Sequence, residues 1–503
     1  MNVPPLDPQA ALRKNVYLLL IALSVGAVLG RILAVDSVDR AALEKSRLEK
    51  VTADLAGARK QLESKGLAPA QIEEELRAKE AELRRKAVLM RPFLSANDRS
   101  RWNTVRALVE EDVCVAGAPY AIDRIIVQPR WDTIDMVKHD GHYYSSKPPL
   151  LATLVAGPYW VIHRLTAATL DTHPYAIGRS MLVLVNVIPL AIMLFLLSGL
   201  IERFAQTDFA RVFVMASAAF GTFLTTFAVV LNNHLVAAVS VTIALVAAVR
   251  IWFDGERRLR WFAVAGLFAA FTVTDELPAL SLFVALTLAL WWKAPRPTML
   301  AYLPAAVVVA AGFFGTNWIA HHSLAPPYMH RSEGDNWYIY EVNGKPSYWQ
   351  NPKGIDRGEA SPAVYAFHAL AGHHGIFSLT PIWLLAAAGL AISLVKHDRR
   401  GLWQLALLIA AVSVVCVAFY LMRPQSDRNY GGTTSGFRWV FWFAPMWLVA
   451  MIPALDAMAG KRWLRGVAVA LLVFSVLSAS CPTWNPWTHP WIMNYLQSAG
   501  WPV

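Results

Sequence analysis

Apolar stretches of about the length needed to cross a bilayer recur along the chain, separated by short polar connections. They lie at 16–34, 149–165, 178–201, 211–231, 235–252, 261–273, 277–292, 299–320, 376–395, 402–422, 439–458 and 464–480. About 20 helical residues span the hydrocarbon core, and helices or closed barrels are the structures that satisfy the backbone there. The chain lacks the alternating polarity of barrel strands. The pattern therefore predicts an all-α polytopic membrane protein with about 12–13 transmembrane helices.

Positive charge predicts how these helices are oriented. Basic residues are concentrated in four short connections, at 250–260, 293–296, 396–400 and 460–465. The positive-inside rule places such connections in the cytoplasm, so that the long segments and the tail lie outside. Strict alternation through the twelve stretches would instead place the tail inside. One stretch is therefore miscounted, and we expect the error within 178–252.

Composition limits the class of protein and its partners. Of 503 residues, 56% are hydrophobic and 16% are charged, with a mean hydropathy of +0.39, which excludes a soluble globular protein. The net charge of +11 lies in short loops rather than in one patch, so no nucleic acid partner is expected.

The first apolar stretch follows Arg13 and Lys14 and lacks a small-residue cleavage site, which predicts a retained helix. Three cysteines form no disulfide framework; Cys114 and Cys481 share the outer side, and free thiols are favoured over a pair.

The order of polar and apolar segments predicts the domain organisation. A cytoplasmic tail with the first transmembrane helix is followed by an outer helical hairpin, a first outer loop, a transmembrane body, a second outer loop, the rest of the body and an interfacial tail. The corresponding bounds are 1–36, 37–91, 92–148, 149–320, 321–375, 376–480 and 481–503. The tail contains tryptophans 484, 487, 491 and 501, which suit the headgroup region.

The hairpin is predicted within 40–90. Leucines 48, 55 and 62 keep a heptad spacing, and Gly66 and Pro69 mark the end of one helix and the start of the next. A weaker apolar pattern resumes in the second arm, where Lys79 interrupts it. We expect an antiparallel hairpin that packs on itself, and an arm that docks a partner is the alternative.

A candidate catalytic carboxylate lies in "SANDRSRWNTVRALVEED", residues 95–112. Asp98 is placed at the start of an amphipathic helix, where Asn97 or Asp98 could serve as a helix cap. A carboxylate held there and reachable from solvent also suits a general base. Other carboxylates of this outer loop compete for the role, namely Glu110, Glu111, Asp132, Asp135 and Asp140.

Lys147 stands directly before an apolar stretch in "GHYYSSKPPLLATL", residues 141–154. A lysine at a helix start can simply reach the membrane surface. Here the loop brings carboxylates, histidines and tyrosines to the same place, which looks like the floor of a site. A flexible point charge suits an anionic head group.

Later polar residues also border apolar stretches. Arg438 follows the glycine-rich loop "RNYGGTTSG" (428–436), and it either clamps a phosphate or reaches lipid head groups. His234, Asp275 and Glu276 interrupt the apolar body, where ionisable residues are often functional; for the acidic pair, a short loop between helices is preferred. The second outer loop holds six of the thirteen histidines, including His374, without the spacing of a known zinc site. No metal ligand is therefore assigned.

An Asp-x-x-Arg-aromatic stretch followed by "GHYYSSKPPL" resembles the GT-C superfamily of polyprenyl-phosphate-dependent glycosyltransferases, in particular the aminoarabinose transferases of lipid A and the protein O-mannosyltransferases. Matched position by position, Asp98 falls on the family's catalytic acid and Lys147 on the lysine of its Lys-Pro-Pro motif. Arg99 stands where a second acid is usual, and Ser146 where the aminoarabinose transferases have glutamate.

This resemblance implies an inverting transfer of a sugar from a polyprenyl-phosphate donor to an extracytoplasmic acceptor, which is a lipid, a protein or a polysaccharide. The enzyme would act at the periplasmic face of a bacterial inner membrane. Asp98 would be the general base, and Lys147 and Arg438 would bind the donor phosphate. Donor or acceptor contacts are expected from Arg101, Trp102, Tyr143, Tyr144, His234, Glu276 and His374.

Two other classes of function stay open at this point. A lipid or lipid-linked-sugar transporter or flippase would show repeated halves and charges at the membrane midplane, and no repeat is found. A non-catalytic assembly factor would depend on the hairpin and not on Asp98 or Lys147. The sequence indicates no organic cofactor and leaves a divalent metal ion open.

Overall fold

The computed structural model describes residues 8–34, 40–87, 93, 95–128, 131–342, 344–397, 401–482 and 485–501. The first half contains α1 (Pro8–Ala34), α2 (Arg40–Ser64), α3 (Pro69–Ala87), α4 (Ala96–Val109), α5 (Asp123–Ile126), β1 (Met136–His139), β2 (His142–Ser145), α6 (Pro149–Thr166), α7 (Pro174–Leu182), α8 (Ile188–Phe204), α9 (Asp208–Phe220), α10 (Phe223–Phe227), α11 (Asn233–Phe253) and α12 (Leu259–Asp275). A π-helical turn, Val183–Val187, joins α7 to α8.

The second half continues the helical body around one outer loop. It contains α13 (Leu280–Lys293), α14 (Pro295–Pro297), α15 (Leu303–His321), β3 (Arg331–Ser332), β4 (Asp335–Asn336), β5 (Glu341–Val342), β6 (Lys345–Pro346), α16 (Pro362–Leu370), α17 (Ile376–Leu379), α18 (Trp383–Lys396), α19 (Leu402–Leu421), α20 (Ala444–Ala450), α21 (Ile452–Met458), α22 (Arg462–Ser480) and α23 (Trp491–Ser498). A 3₁₀ helix, Arg438–Phe443, precedes α20.

The expected all-α polytopic membrane protein is confirmed. Among the described residues, seven helices are long and apolar enough to cross a membrane, or eight when the bent pair at Arg438–Met458 is one span, whereas about 12–13 were expected. Two shorter apolar helices, Leu277–Lys293 and Trp383–Lys396, accompany them. The buried apolar side chains of these helices form one large core.

Contacts between helix ends sort the polar connections into two sides. Near the start of α1, Arg13 bonds Glu202 at 3.2 Å and Asp208 at 3.1 Å, so the α8–α9 connection lies beside it. At the other end of α1, the Arg31 guanidinium donates to the backbone oxygens of Thr225 and Pro482 at 3.1 and 3.3 Å. The side opposite Arg13 is called the outer side below, and it holds the tail after α22.

The segment 149–165, expected to cross the membrane, does not reach the other side. Its helix, α6, begins beside the outer segment, and just past its end the Leu170 amide donates to Glu110 at 3.0 Å. The hydroxyl of Tyr159 in α6 donates to the same carboxylate at 2.6 Å. Both ends of α6 therefore lie on the outer side, along α4. The stretch that strict alternation counts as a span in error is therefore 149–165 and not one within 178–252.

The expected helical hairpin is present in α2 and α3. Ala58, Ile72 and Leu76 form a small core between its arms, and Arg59 pairs with Glu73 at 2.5 Å. None of its described large apolar side chains is exposed. The hairpin thus packs on itself; its predicted end at 90, like Trp484 of the tail, lies outside the described residues.

A short β-hairpin sets the position of Lys147. β1 and β2 pair antiparallel with His139 opposite His142, and the two residues between them, Asp140 and Gly141, have φ of 47° and 84°. An Asp-Gly pair with positive φ at both positions is the preferred two-residue turn of a β-hairpin. β2 begins directly after this turn and ends at Ser145, two residues before Lys147.

The two outer segments pack against each other. The Lys138 amide donates to the backbone oxygen of Trp337 at 2.9 Å, and the Tyr143 hydroxyl donates to that of Glu341 at 2.7 Å. The Trp349 indole donates to the backbone oxygen of Ile134 at 2.8 Å. The second outer loop therefore covers the first and closes one side of the cavity described next.

Candidate functional site

A cavity of about 920 Å³ lies between the outer segments and the outer ends of the helices. Pockets of about 300–1,000 Å³ suit small-molecule ligands. Basic side chains line it at Arg99, Arg101, Lys147, Arg331, Arg423 and Arg438. Acidic side chains line it at Asp135, Asp275, Glu276, Asp356 and Asp427. Charge at this density, next to an apolar core, is typical of a binding or catalytic site.

Lys147 and Asp135 form an ion pair on one wall, with the Lys147 Nζ 2.9 Å from the carboxylate. Ser146 also donates to this carboxylate, and the Asn97 amide donates to its Oδ2 at 2.7 Å. Burial lowers the pKa of Lys147 to about 8; Asp135 opposes this shift, and the nearby Arg101 and Arg438 add to it. Burial alone would raise the pKa of Asp135, but Lys147 and Ser146 hold it below its usual range. The lysine is thus a buried cation near two others.

Arg101 reaches the cavity from α4. One guanidinium nitrogen donates to the Asn97 side-chain oxygen at 2.5 Å, and the other donates to that of Asn233, at the start of α11, at 2.6 Å. The Asn233 amide in turn donates to Glu276 at 2.8 Å. Two asparagine side chains therefore fix the position of this arginine and leave its positive charge in the cavity.

Arg438 is held from the opposite wall by His234. The His234 Nδ1 lies 2.5 Å from Glu276, and its Nε2 lies 3.0 Å from a guanidinium nitrogen of Arg438. Because a guanidinium can only donate, Nε2 must be the acceptor and Nδ1 must carry the proton. The guanidinium also donates to the Gly431 backbone oxygen at 2.8 Å and lies over the Trp487 ring.

The glycine-rich loop makes room for this arginine. Gly431 has φ of 97° and Gly432 has φ of 83°, a conformation that other residues rarely adopt. A Cβ added at Gly431 would lie 2.8–3.3 Å from side-chain atoms of Arg438. The glycine is therefore required by both the turn and the close approach.

A second group of charges lies elsewhere on the cavity wall. Asp427 accepts from Arg331 at 3.0 Å and from Arg423 at 2.7 Å. Asp356 accepts from the Tyr348 hydroxyl at 2.9 Å, and burial raises the pKa of its carboxyl. Aromatic side chains at Tyr338, Trp349, Trp439 and Trp487 also line the cavity.

Asp98, expected to be the catalytic base, does not line the cavity. It is 1% exposed, and its Oδ1 accepts from the Trp102 indole and the Leu231 amide, each at 3.0 Å. The helix cap expected from Asn97 or Asp98 is provided by Ser95, whose side chain accepts from the Asp98 amide at 3.0 Å. The geometry gives Asp98 the role of joining α4 to the connection before α11.

Other expected contacts also lie away from the cavity. Trp102 is buried against Phe93, with ring centroids 4.7 Å apart. Tyr143 and Tyr144 are in β2, where Tyr144 packs on His321. His374 is buried, and its ring stacks on Tyr430 at 4.7 Å. Of the expected donor and acceptor contacts, Arg101, His234 and Glu276 do line the cavity.

The carboxylates that were alternatives to Asp98 as the base also differ in whether they line the cavity. Glu110 is buried in an ion pair with Arg106 at 2.7 Å, Glu111 is exposed, and Asp140 is in the hairpin turn. Neither these nor Asp132 line the cavity, whereas Asp135 does. Among the described residues, no group of three or more His, Cys, Asp or Glu side chains could hold a metal ion.

Sequence analysis missed the residues that connect the site. The sequence singles out Asn97 only as a possible helix cap, and it singles out neither Asn233 nor Asp356 as a site residue. Their signal was weak because each is a common loop or helix-end residue. Only the fold shows that they bond or border the same charges.

The sequence matches no family of known proteins and no curated protein. The structure resembles the oligosaccharyltransferase of Archaeoglobus fulgidus. Its complex with zinc and sulfate gives a TM-score of 0.38 at 13% identity, over 79% of this chain and 54% of that one. The archaeal enzyme AglB with an inhibitory peptide and a dolichol-phosphate gives 0.36 at 14%, over 77% and 54%. The chain spans about half the length of these proteins, and similarity at this level assigns it no residue role.

Proposed function

We propose that the chain is a glycosyltransferase that moves a sugar from a polyprenyl-phosphate donor to an extracytoplasmic acceptor. The observation that carries the proposal is the placement of Arg101, Lys147 and Arg438 on one cavity at the outer side. They come from three separate parts of the chain, and polar side chains hold each of them. Their arrangement suits the phosphate of a donor, since arginine and lysine are the usual partners of phosphate.

The apolar rim of the cavity supports a donor with a lipid tail. Leu277, Met329 and Phe419 line the cavity and are 40%, 55% and 41% exposed. Apolar side chains beside a buried cluster of cations fit a molecule that is anionic at one end and hydrocarbon at the other. A soluble nucleotide sugar would not need such a rim.

In the proposed reaction, an oxygen of the acceptor attacks the anomeric carbon and loses its proton to a base. The bond between this carbon and the donor phosphate oxygen breaks, and the electron pair leaves with the phosphate. Lys147, Arg101 and Arg438 stabilise the charge that develops there, in a site that excludes much of the water. A single displacement of this kind inverts the anomeric configuration. Cation placement on the outer side fits action at the periplasmic face of a bacterial inner membrane.

A transfer assay tests the proposal. Purified protein in lipid nanodiscs is given a panel of polyprenyl-phosphate sugars with cell-envelope acceptors, and released polyprenyl phosphate is quantified. We expect release by the wild type and by Lys345→Ala, an exposed control outside the cavity, and a loss of at least tenfold for Lys147→Ala and Arg438→Ala. Transbilayer movement of the intact donor without release would favour a flippase. Equal release by all four proteins would contradict the proposed phosphate site.

A further inference from the structure

We infer that Asp275 is the general base of the proposed transfer and that the acceptor therefore presents a hydroxyl group to its carboxylate. This inference rests on the proposed function and adds a catalytic residue to it. Asp275 lies at the end of α12 and lines the cavity. Its Oδ2 is buried and has no hydrogen-bond partner among the described residues. No side chain therefore competes with a substrate hydroxyl for this carboxylate, as a general base at the cavity requires.

The other cavity carboxylates are already occupied. Both oxygens of Asp135 accept hydrogen bonds, Oδ1 from Lys147 and Oδ2 from Asn97. Asp427 accepts from one arginine on each oxygen. These two carboxylates neutralise and orient cations, so proton uptake would break their ion pairs.

Glu276 and Asp356 are also engaged. The Glu276 Oε1 accepts from the Asn233 amide at 2.8 Å and from His234 at 2.5 Å, and the Tyr420 hydroxyl also bonds this carboxylate. Asp356 accepts from the Tyr348 hydroxyl on Oδ2 and from Asn429, at 3.4 Å, on Oδ1. Glu276 has the further task of holding the histidine that positions Arg438. Among the described cavity carboxylates, Asp275 is thus the one whose carboxylate accepts no side-chain hydrogen bond.

Asp275 is also close to the group that would hold the donor phosphate. The Asn233 side chain donates to the Asp275 backbone oxygen at 2.9 Å and accepts from Arg101 at 2.6 Å. One asparagine thus ties the backbone of Asp275 to a phosphate-binding cation. An acceptor hydroxyl bonded to Asp275 would therefore lie beside the donor's anomeric carbon, which is attached directly to the phosphate.

The step balances without a further reactant. The acceptor O–H proton moves to Asp275 as the new carbon–oxygen bond forms, and the carbon–oxygen bond to phosphate breaks. The products are the glycosylated acceptor and polyprenyl phosphate, and the proton on Asp275 returns to water. Arg101 stabilises the ionised carboxylate before the step and the released phosphate after it.

The test uses the full-length protein in lipid nanodiscs, with sugar transfer and polyprenyl phosphate binding measured on the same samples. Asp275→Asn should lower transfer by about 10²- to 10⁴-fold, the usual contribution of general base catalysis, without weakening phosphate binding. Asp112→Asn, an exposed change in the outer segment, is the matched control and should transfer normally. Formate should restore part of the transfer in Asp275→Ala but none in Lys147→Ala.

Three results would overturn the inference. Normal transfer by Asp275→Asn would show that the carboxylate is dispensable, and a large loss in Asp98→Asn would then return the base to Asp98. Loss of both transfer and phosphate binding in Asp275→Asn, without rescue by formate, would show a structural role. A wild type that binds polyprenyl phosphate but transfers no sugar would reject the proposed function itself, and the base with it.

Discussion

Lys147 gives a prediction about pH that follows from its surroundings. Its pKa is lowered to about 8, first by burial and then by Arg101 and Arg438, against the opposing effect of Asp135. The lysine is charged below its pKa and neutral above it. Before a phosphate binds, about nine-tenths of the Lys147 side chains are therefore charged at pH 7 and about one-tenth at pH 9.

The affinity for polyprenyl phosphate should fall as this charge is lost. If the charged lysine is the form that binds, affinity drops about tenfold between pH 7 and pH 9. Lys147→Ala should weaken binding already at pH 7 by about 10- to 100-fold, since a hydrogen bond to a charged group contributes about 1.5–3 kcal/mol. The second ionisation of a phosphate monoester has a pKa of about 6 and is nearly complete by pH 7. It therefore adds little to the change in affinity between pH 7 and pH 9.

Binding would be measured by isothermal titration calorimetry in nanodiscs from pH 7 to pH 9.5. Lys147→Arg is the matched control, because arginine keeps its charge throughout and should give a flat profile. A wild-type affinity that does not change with pH would refute the reasoning. So would the same slope in Lys147→Ala, because the titrating group would then be another residue.

Three further predictions follow from close contacts and from the hairpin. Gly431→Ala should weaken polyprenyl phosphate binding by about tenfold, because its Cβ would displace Arg438; Gly334→Ala, at φ of 83° with nothing within 4 Å, shares the backbone strain and should bind normally in the same titration. Gly266→Ala should destabilise the protein by about 1–3 kcal/mol, because its Cβ would lie 2.1 Å from a backbone oxygen of the facing helix; an unchanged midpoint in thermal unfolding would contradict this. Replacing 40–87 by a short flexible linker should leave polyprenyl phosphate release unchanged, since the hairpin packs on itself; lost release in a well-folded variant would favour an assembly role.

The membrane architecture could be predicted because hydropathy reports directly on burial in lipid. The exception is α6, whose 18 residues are apolar enough to resemble a span. Its buried Ala152, Val155 and Tyr159 recur on one face and pack in the core of the outer segment and membrane body. Length and hydropathy do not distinguish such a helix from a short span, because both place apolar side chains against lipid and protein.

The site could be predicted only in part. Lys147 and Arg438 were identifiable because each is a cation at the start of an apolar stretch, and both line the cavity. The preference for Asp98 over the neighbouring carboxylates depended on its place in a motif, whereas its partners are the Trp102 indole and a distant backbone amide. A carboxylate's partners follow from tertiary contacts, so the sequence alone could not show that Asp98 is held inside the fold.

A cryo-electron microscopy map of the protein with polyprenyl phosphate in nanodiscs tests the central claim most directly. We expect density for the phosphate within hydrogen-bond distance of Lys147, Arg101 and Arg438, with the lipid chain leaving along Leu277 and Phe419. Density for the phosphate at another place, with these three side chains keeping the partners described above, would contradict the proposed phosphate site.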